Sequence, residues 1–158
     1  DVLQTFILLN KTIPSKLLLL GDGPERVRIE QQARDCNYGN EIKFLGKQEQ
    51  MEDILPIADL FLLPSEYESF GLAALEAMAA SVPVISTNAG GLPEININGY
   101  CGYMSNVGDV EDMSRNAISI LQDENTYLTF KANALAQAQK FDIQNIVPIY
   151  EKLYERLL

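Results

Sequence analysis

The stretch Pro64-Ser65-Glu66-Tyr67-Glu68-Ser69-Phe70-Gly71-Leu72-Ala73-Ala74-Leu75-Glu76-Ala77-Met78-Ala79-Ala80 reads as a strand end, a turn and a helix seated closely on a sheet. The run Asp59–Leu63 ahead of it is short, apolar and stopped by Pro64, as a buried strand is. The helix is expected to open near Gly71, which leaves the amides of Phe70, Gly71 and Leu72 as free donors at the positive end of the helix. Gly71 lets backbone come close to a ligand, and the alanines let the helix lie tight on its support. Glu76 sits about a turn and a half into this helix. A solvated carboxylate is one reading of it. The apolar neighbours Leu75, Ala77 and Met78 suggest instead a buried carboxylate, whose cost a ribose or sugar diol would relieve.

Working outward, the same alternation recurs. Lys16–Leu20 before Gly21-Asp22-Gly23-Pro24, Ile42–Leu45 before Gly46, and Pro83–Ser86 before Asn88-Ala89-Gly90-Gly91 read as further strands. Between them the period becomes helical, with Val27, Ile29 and Ala33 in one segment and Met51, Ile54, Leu55 and Ala58 in another. Strand and helix in alternation specify an α/β domain: a doubly wound, Rossmann-like parallel sheet with helices on both faces. Val2, Phe6, Leu9 and Ile13 put a helix at the start, where such a domain normally has a strand first. Beyond Tyr103 the pattern is helical: Asp109 to Leu121, Tyr127 to Ala138, then Asp142 to Leu158 with Pro148 expected to kink or restart it.

Loops after parallel strands gather at the carboxyl edge of the sheet, where ligands bind. Gly21-Asp22-Gly23-Pro24 is therefore either a plain strand-to-helix connection or a ligand-facing loop. It is not the dinucleotide fingerprint, since Arg26 stands where the third glycine belongs. Gly90-Gly91-Leu92-Pro93-Glu94 lies on that edge too.

The 158 residues fit one domain, and 47% hydrophobic with 22% charged residues is ordinary globular composition. Twelve Lys+Arg against 22 Asp+Glu leave a net charge of −10, which opposes binding to nucleic acid or anionic membranes. With no histidine, Ser-His-Asp and Cys-His chemistry are excluded within the chain, and so is nearly every catalytic zinc site. No Asp-x-Asp pair offers metal-diphosphate ligands, so no metal and no cofactor are expected. Cys36 and Cys101 stand in no metal or redox spacing and read as buried free thiols of a reducing cytoplasm. No apolar run approaches the length of a membrane span.

Gly21-Asp22-Gly23-Pro24, Phe44-Leu45-Gly46, Pro64 to Leu72 with Glu76-Ala77-Met78-Ala79, and Gly90-Gly91-Leu92-Pro93-Glu94, in this order, resemble the carboxyl-terminal half of retaining GT-B glycosyltransferases. Phe44-Leu45-Gly46-Lys47-Gln48 resembles the branch that moves N-acetylglucosamine to malate. The resemblance centres on a Glu-x7-Glu motif, Glu68 and Glu76. It implies that residues 1–141 form the nucleotide-sugar-binding domain, truncated at its first strand, and that 142–158 is a crossover helix packing on an amino-terminal acceptor domain. On that reading Ile149, Leu153, Leu157 and Leu158 would lack cover.

The resemblance also implies roles. Glu76 would bond the ribose, and Ser69, Phe70, Gly71 and Leu72 would hold phosphate and sugar. Glu68 would contact the transferred sugar as the catalytic carboxylate. Lys47 and Gln48 would border the base, and Gly21, Asp22, Gly23, Gly90 and Gly91 would line the crevice. The expected partner is a nucleoside diphosphate sugar, UDP-linked. A basic Arg-x4-Lys clamp, expected after a strand ahead of the first helix, has no match in Lys11 or Lys16, so the chain alone is expected to be inactive. A nucleotide-binding α/β module without catalysis is the alternative.

Overall fold

The computed structural model describes residues 1–156. Helix α1 (Val2–Asn10) leads into strand β1 (Leu17–Leu20), helix α2 (Arg26–Asp35) and strand β2 (Ile42–Gly46). The short helix α3 (Met51–Ile54) and one 3-10 turn (Leu55–Ile57) precede β3 (Phe61–Leu63), α4 (Leu72–Ala79), β4 (Val84–Thr87) and the single-turn α5 (Leu92–Ile95). Strand β5 (Gly102–Ser105) and helices α6 (Val110–Leu121), α7 (Glu124–Gln139) and α8 (Ile143–Glu155) complete the chain. All strand pairs are parallel, with Leu17 opposite Ile42, Phe61 opposite Val84, and Val84 opposite Gly102.

Alternation along the strands assigns the helices to faces. Phe61, Leu63 and Val84 join Ala74, Ala77 and Met78 of α4 and Ala134 of α7 in one core. The intervening Leu60, Leu62 and Ile85, with Tyr103, join Met113, Ala117 and Ile120 of α6 on the other face, where Leu9 of α1 enters. Leu3 and Phe6 of α1 pack instead with Leu17, Ala33 and Ile42. Helix α1 therefore lies across both groups of strands and docks on α6.

The structure differs from the sequence reading in three places. The strands form two sheets, β1–β2 and β3–β4–β5, not one. Gly102–Ser105 is a strand although it has no apolar run, because its backbone completes the far edge of β4. Pro148 lies inside one helix, α8, from Ile143 to Glu155, so it does not restart the helix. That helix buries none of its described residues, and Ile149 and Leu153 are 63% and 50% exposed. Leu157 and Leu158 lie outside the described residues. No helix among the described residues is long and apolar enough to cross a membrane. Cys36 and Cys101 are free thiols, and burial pushes the Cys101 thiol up.

The last strand is fixed to its helix through Asp112. Ser105 Oγ donates to Asp112 Oδ2 at 2.7 Å, Asn116 Nδ2 donates to the same oxygen at 3.0 Å, and Arg115 donates to Oδ1 at 3.0 Å. The Ser105 hydroxyl, ahead of Arg115 and Asn116, holds this carboxyl below its ordinary value. Because the folded pKa is depressed, the added stability is present above the unfolded pKa and is lost as pH falls through the folded one. Asp112→Asn is expected to cost about 0.5–1.5 kcal/mol at neutral pH, at the low end because the group is partly solvated. The cost should vanish once the pH has fallen below the depressed folded pKa. Urea melts at the two pH values check it, and an equal cost at both would exclude the charge as the cause.

Candidate active site

The four loops that follow β1 to β4 all emerge at the carboxyl edge of parallel strands. The structure ties two pairs of them together. Gly91 N–H donates to the Glu68 carbonyl at 3.0 Å, so the loop after β4 rests on the loop after β3. Thr87 Oγ1 donates to the Ser65 carbonyl, and Asn88 Nδ2 donates to Asn106 Oδ1, which carries the connection to the loop after β5. Separately, Gly21 N–H donates to the Gly46 carbonyl at 2.8 Å, joining the ends of β1 and β2.

The first cluster contains Glu68, Ser69, Phe70, Gly71, Gly90 and Gly91. A Cβ on Gly90 would lie 1.8 Å from the Glu68 carbonyl oxygen, and one on Gly91 would lie 2.5 Å from that of Ser69. These two glycines thus have a structural duty of their own: they let one loop lie directly on the other. The Phe70 ring stands edge-on to Phe141 at 5.9 Å, which anchors the loop to the end of α7. Gly71 then turns the chain into α4 at φ +98°, and no side chain caps the helix. α6, α7 and α8 each open with an aspartate whose side chain accepts a backbone amide. The first turn of α4 contains no acidic residue, so its free amides retain their partial positive charge.

The second cluster contains Gly21, Asp22 and Gly46, with Lys47 and Gln48 exposed beside them. Asp22 accepts from the Gly23 amide, and Gln48 Nε2 donates to the Leu45 carbonyl. Arg26, read from the sequence only as the residue in the third glycine's place, also belongs here. Its Nε donates to Glu30 at 2.8 Å and its Nη1 lies 3.7 Å from Asp22. The same nitrogen lies 3.6 Å from where a Cβ on Gly46 would be. The hydrogen bond and charge of Glu30 hold the guanidinium above its ordinary pKa. The spacing Asp22, Arg26, Glu30, four residues apart each time, was the available signal.

Glu76 departs from the expectation of burial. It is exposed, it has no ion-pair partner among the described residues, and it shares a groove of about 320 Å³ with Leu72, Leu135 and Asp142. The apolar neighbours misled because Ala77 and Met78 point into the core while Leu72, Glu76 and Ala79 form a second, open side of the same helix. Glu68, by contrast, is half-buried. Among the described residues no three His, Cys, Asp or Glu side chains are grouped to hold a metal.

This parallel α/β layout, with its loops at the carboxyl ends of the strands, is shared with solved glycosyltransferases of the GT-B fold. The Anabaena protein HepE, solved in complex with UDP-glucose, superposes with a TM-score of 0.83 over 98% of this chain and 44% of its own, at 27% identity. Residues 1–137 match the family described as glycosyl transferases group 1, and the chain belongs to that family. It is 40% identical, over its whole length, to the N-acetyl-alpha-D-glucosaminyl L-malate synthase of Bacillus anthracis, covering 42% of that protein. It is 32% identical to the 2-deoxystreptamine N-acetyl-D-glucosaminyltransferase of Niallia circulans, covering 96% of this chain and 41% of that one. The chain thus spans less than half the length of these relatives.

Proposed function

We propose that this chain is the donor-binding part of a retaining glycosyltransferase that moves N-acetylglucosamine from UDP to an acceptor hydroxyl, with malate as the acceptor. The observation that carries the reading is the uncapped start of α4, set beside the half-buried Glu68 in a loop locked in place by Gly90 and Gly91. An anion meets free amides and a favourable dipole there without first displacing a side-chain cap. The diphosphate would take the amides at Phe70 to Leu72, the sugar would lie against Glu68, and the ribose would reach Glu76. The exposure of Glu76 suits this role, since a carboxylate in solvent is free to accept from both hydroxyls of an incoming diol. Lys47 and Gln48 would border the base.

The sugar has more support than the acceptor. Two relatives share N-acetylglucosamine in their names while their acceptors differ, one being malate and the other 2-deoxystreptamine. The non-catalytic alternative is not favoured, because both are named as a synthase or a transferase. The proposed reaction uses the UDP-sugar as a substrate and calls on no further cofactor, and the two free thiols suit a reducing cytoplasmic compartment.

Mutations in the full-length polypeptide test the assignment. Glu76→Gln is expected to weaken UDP binding by about 1.5–3 kcal/mol, the range for a hydrogen bond to a charged group. Calorimetry reads it directly, and unchanged affinity would remove Glu76 from the site. Glu68→Ala should instead depress kcat more than it weakens UDP binding. Equal loss of UDP affinity in both variants would contradict the division between sugar and ribose.

A further inference from the structure

The two buried side-chain amides among the described residues, Asn96 and Gln137, both grip the end of α5. Asn96 directly follows that helix and has no exposed surface, and Val84 and Cys101, which it touches, belong to the apolar core. A polar group in such a place costs free energy unless it is bonded. Asn96 is. Its Nδ2 lies 2.8 Å from Ser86 Oγ, 3.1 Å from the Tyr103 carbonyl and 3.3 Å from the Val84 carbonyl, while its Oδ1 accepts from Cys101 Sγ at 3.7 Å. Carbonyls can be met only by the NH2 end, so the orientation of the amide is fixed. Val84 and Ser86 belong to β4 and Tyr103 to β5, so one side chain clamps the end of α5 to two strands. From the other side Gln137 of α7 donates to the Ile95 carbonyl at 3.1 Å.

Buried as it is, Asn96 touches no ligand at the carboxyl edge. What it holds does bear on the candidate active site. The Gly91 amide at the head of α5 donates to the Glu68 carbonyl, and Leu92 and Ile95 lie against Gly71, where α4 begins. A Cβ on Gly71 would stand 2.8 Å from Leu92 Cδ2 and 2.9 Å from Ile95 Cδ1. The turn into α4 is therefore seated on the two buried side chains of α5. Any shift of α5 moves the Glu68 loop and the α4 amides together.

We infer that Asn96 is a positioning residue for the donor site: by fixing α5 to β4 and β5 it sets where Glu68 and the free amides of α4 stand. The inference rests on the donor role proposed above for those groups. A fully bonded polar network rigidifies what it joins, whereas an apolar side chain of similar size packs without direction. Asn96→Leu keeps the site filled but leaves α5 without its tie to the strands.

In the full-length polypeptide Asn96→Leu is expected to weaken UDP binding and raise KM for UDP-N-acetylglucosamine on the order of 10-fold, with KM for the acceptor unchanged. Loss of stability alone would not divide the two KM values in this way. Unchanged UDP affinity in the folded variant overturns the inference, and so does an equal rise in both KM values. Ser86→Ala removes only the nearest acceptor of Asn96, so it serves as the milder variant if Asn96→Leu does not fold. A smaller loss of UDP affinity is expected from it, and none at all overturns the inference. Hydrogen exchange without ligand separates this test from that of the donor role. The amides of Gly91 and Leu75, which donate to the Glu68 and Gly71 carbonyls, should exchange on the order of 10-fold faster in Asn96→Leu, with that of Met113 in α6 unchanged. If the unaltered protein binds no UDP, the donor role fails on its own, and exchange at Gly91 still decides whether Asn96 fixes the loop.

Discussion

Replacing Gly90 with alanine is expected to remove about 2–5 kcal/mol of folding stability. Two costs combine. The residue sits at φ +54°, where a side chain costs about 1–2 kcal/mol, and the new Cβ would lie 1.8 Å from the Glu68 carbonyl oxygen, a contact that only backbone movement can relieve. Relieving it means lifting the loop after β4 off the loop after β3, which breaks the Gly91 to Glu68 hydrogen bond. Gly108 supplies the control, since it has φ +81° with nothing within 4 Å of an added Cβ. Gly108→Ala should therefore cost only the conformational part. Urea denaturation of both variants separates the two causes, and equal losses would show that the contact with Glu68 is not the constraint. In the full-length polypeptide Gly90→Ala should also weaken UDP binding, because Glu68 and the start of α4 are held by that same contact.

The second large effect is all-or-none. The isolated 158-residue chain is expected to transfer no sugar above background from any sugar nucleotide, and transfer should return when the upstream polypeptide is supplied. A departing nucleoside diphosphate carries negative charge that must be met in the transition state, and such preorganised electrostatics is usually the largest catalytic contribution. In the two clusters at the carboxyl edge, the cations are Arg26, already engaged by Glu30 and Asp22, and Lys47 in solvent. The net charge of −10 adds a field that opposes an anionic ligand, most at low salt. Turnover by the purified chain, with full-length enzyme excluded, would mean that other residues supply the missing stabilisation.

What could be read from the sequence follows what each kind of signal encodes. Apolar runs stopped by Gly or Pro revealed β1 to β4, because buried strands must be apolar and must end somewhere. The Glu68 to Ala80 pattern located α4 and the open turn before it. β5 escaped because Gly102-Tyr103-Met104-Ser105 owes its conformation to the edge of β4 rather than to its own composition. The division into two sheets is a relation between β1 and β3, and a linear pattern contains no measure of the space between strands. Exposure at Glu76 was misjudged for a related reason: on a short helix of small residues, apolar neighbours in sequence do not share a face. Gly90 and Gly91 were read as lining a crevice, while their immediate constraint is the carbonyls of Glu68 and Ser69.

The docking of α1 on α6 has a consequence for how the molecule is made. Thr5 Oγ1 meets Met113 Sδ at 3.9 Å across 108 residues of sequence. Within this chain α1 thus leaves the ribosome ahead of Met113 by about 5–20 s at elongation rates of about 5–20 residues per second. During that interval Leu3 and Phe6 can pack on Leu17, Ala33 and Ile42, whereas Leu9 still lacks Met113, Ala117 and Ile120. Closing so long a loop costs entropy before the contact rewards it, so this docking comes late. Between the emergence of α1 and that of Leu121 this part of the nascent polypeptide is most open to aggregation, and chaperones that shield the apolar face of α1 should have their greatest effect on yield in that window.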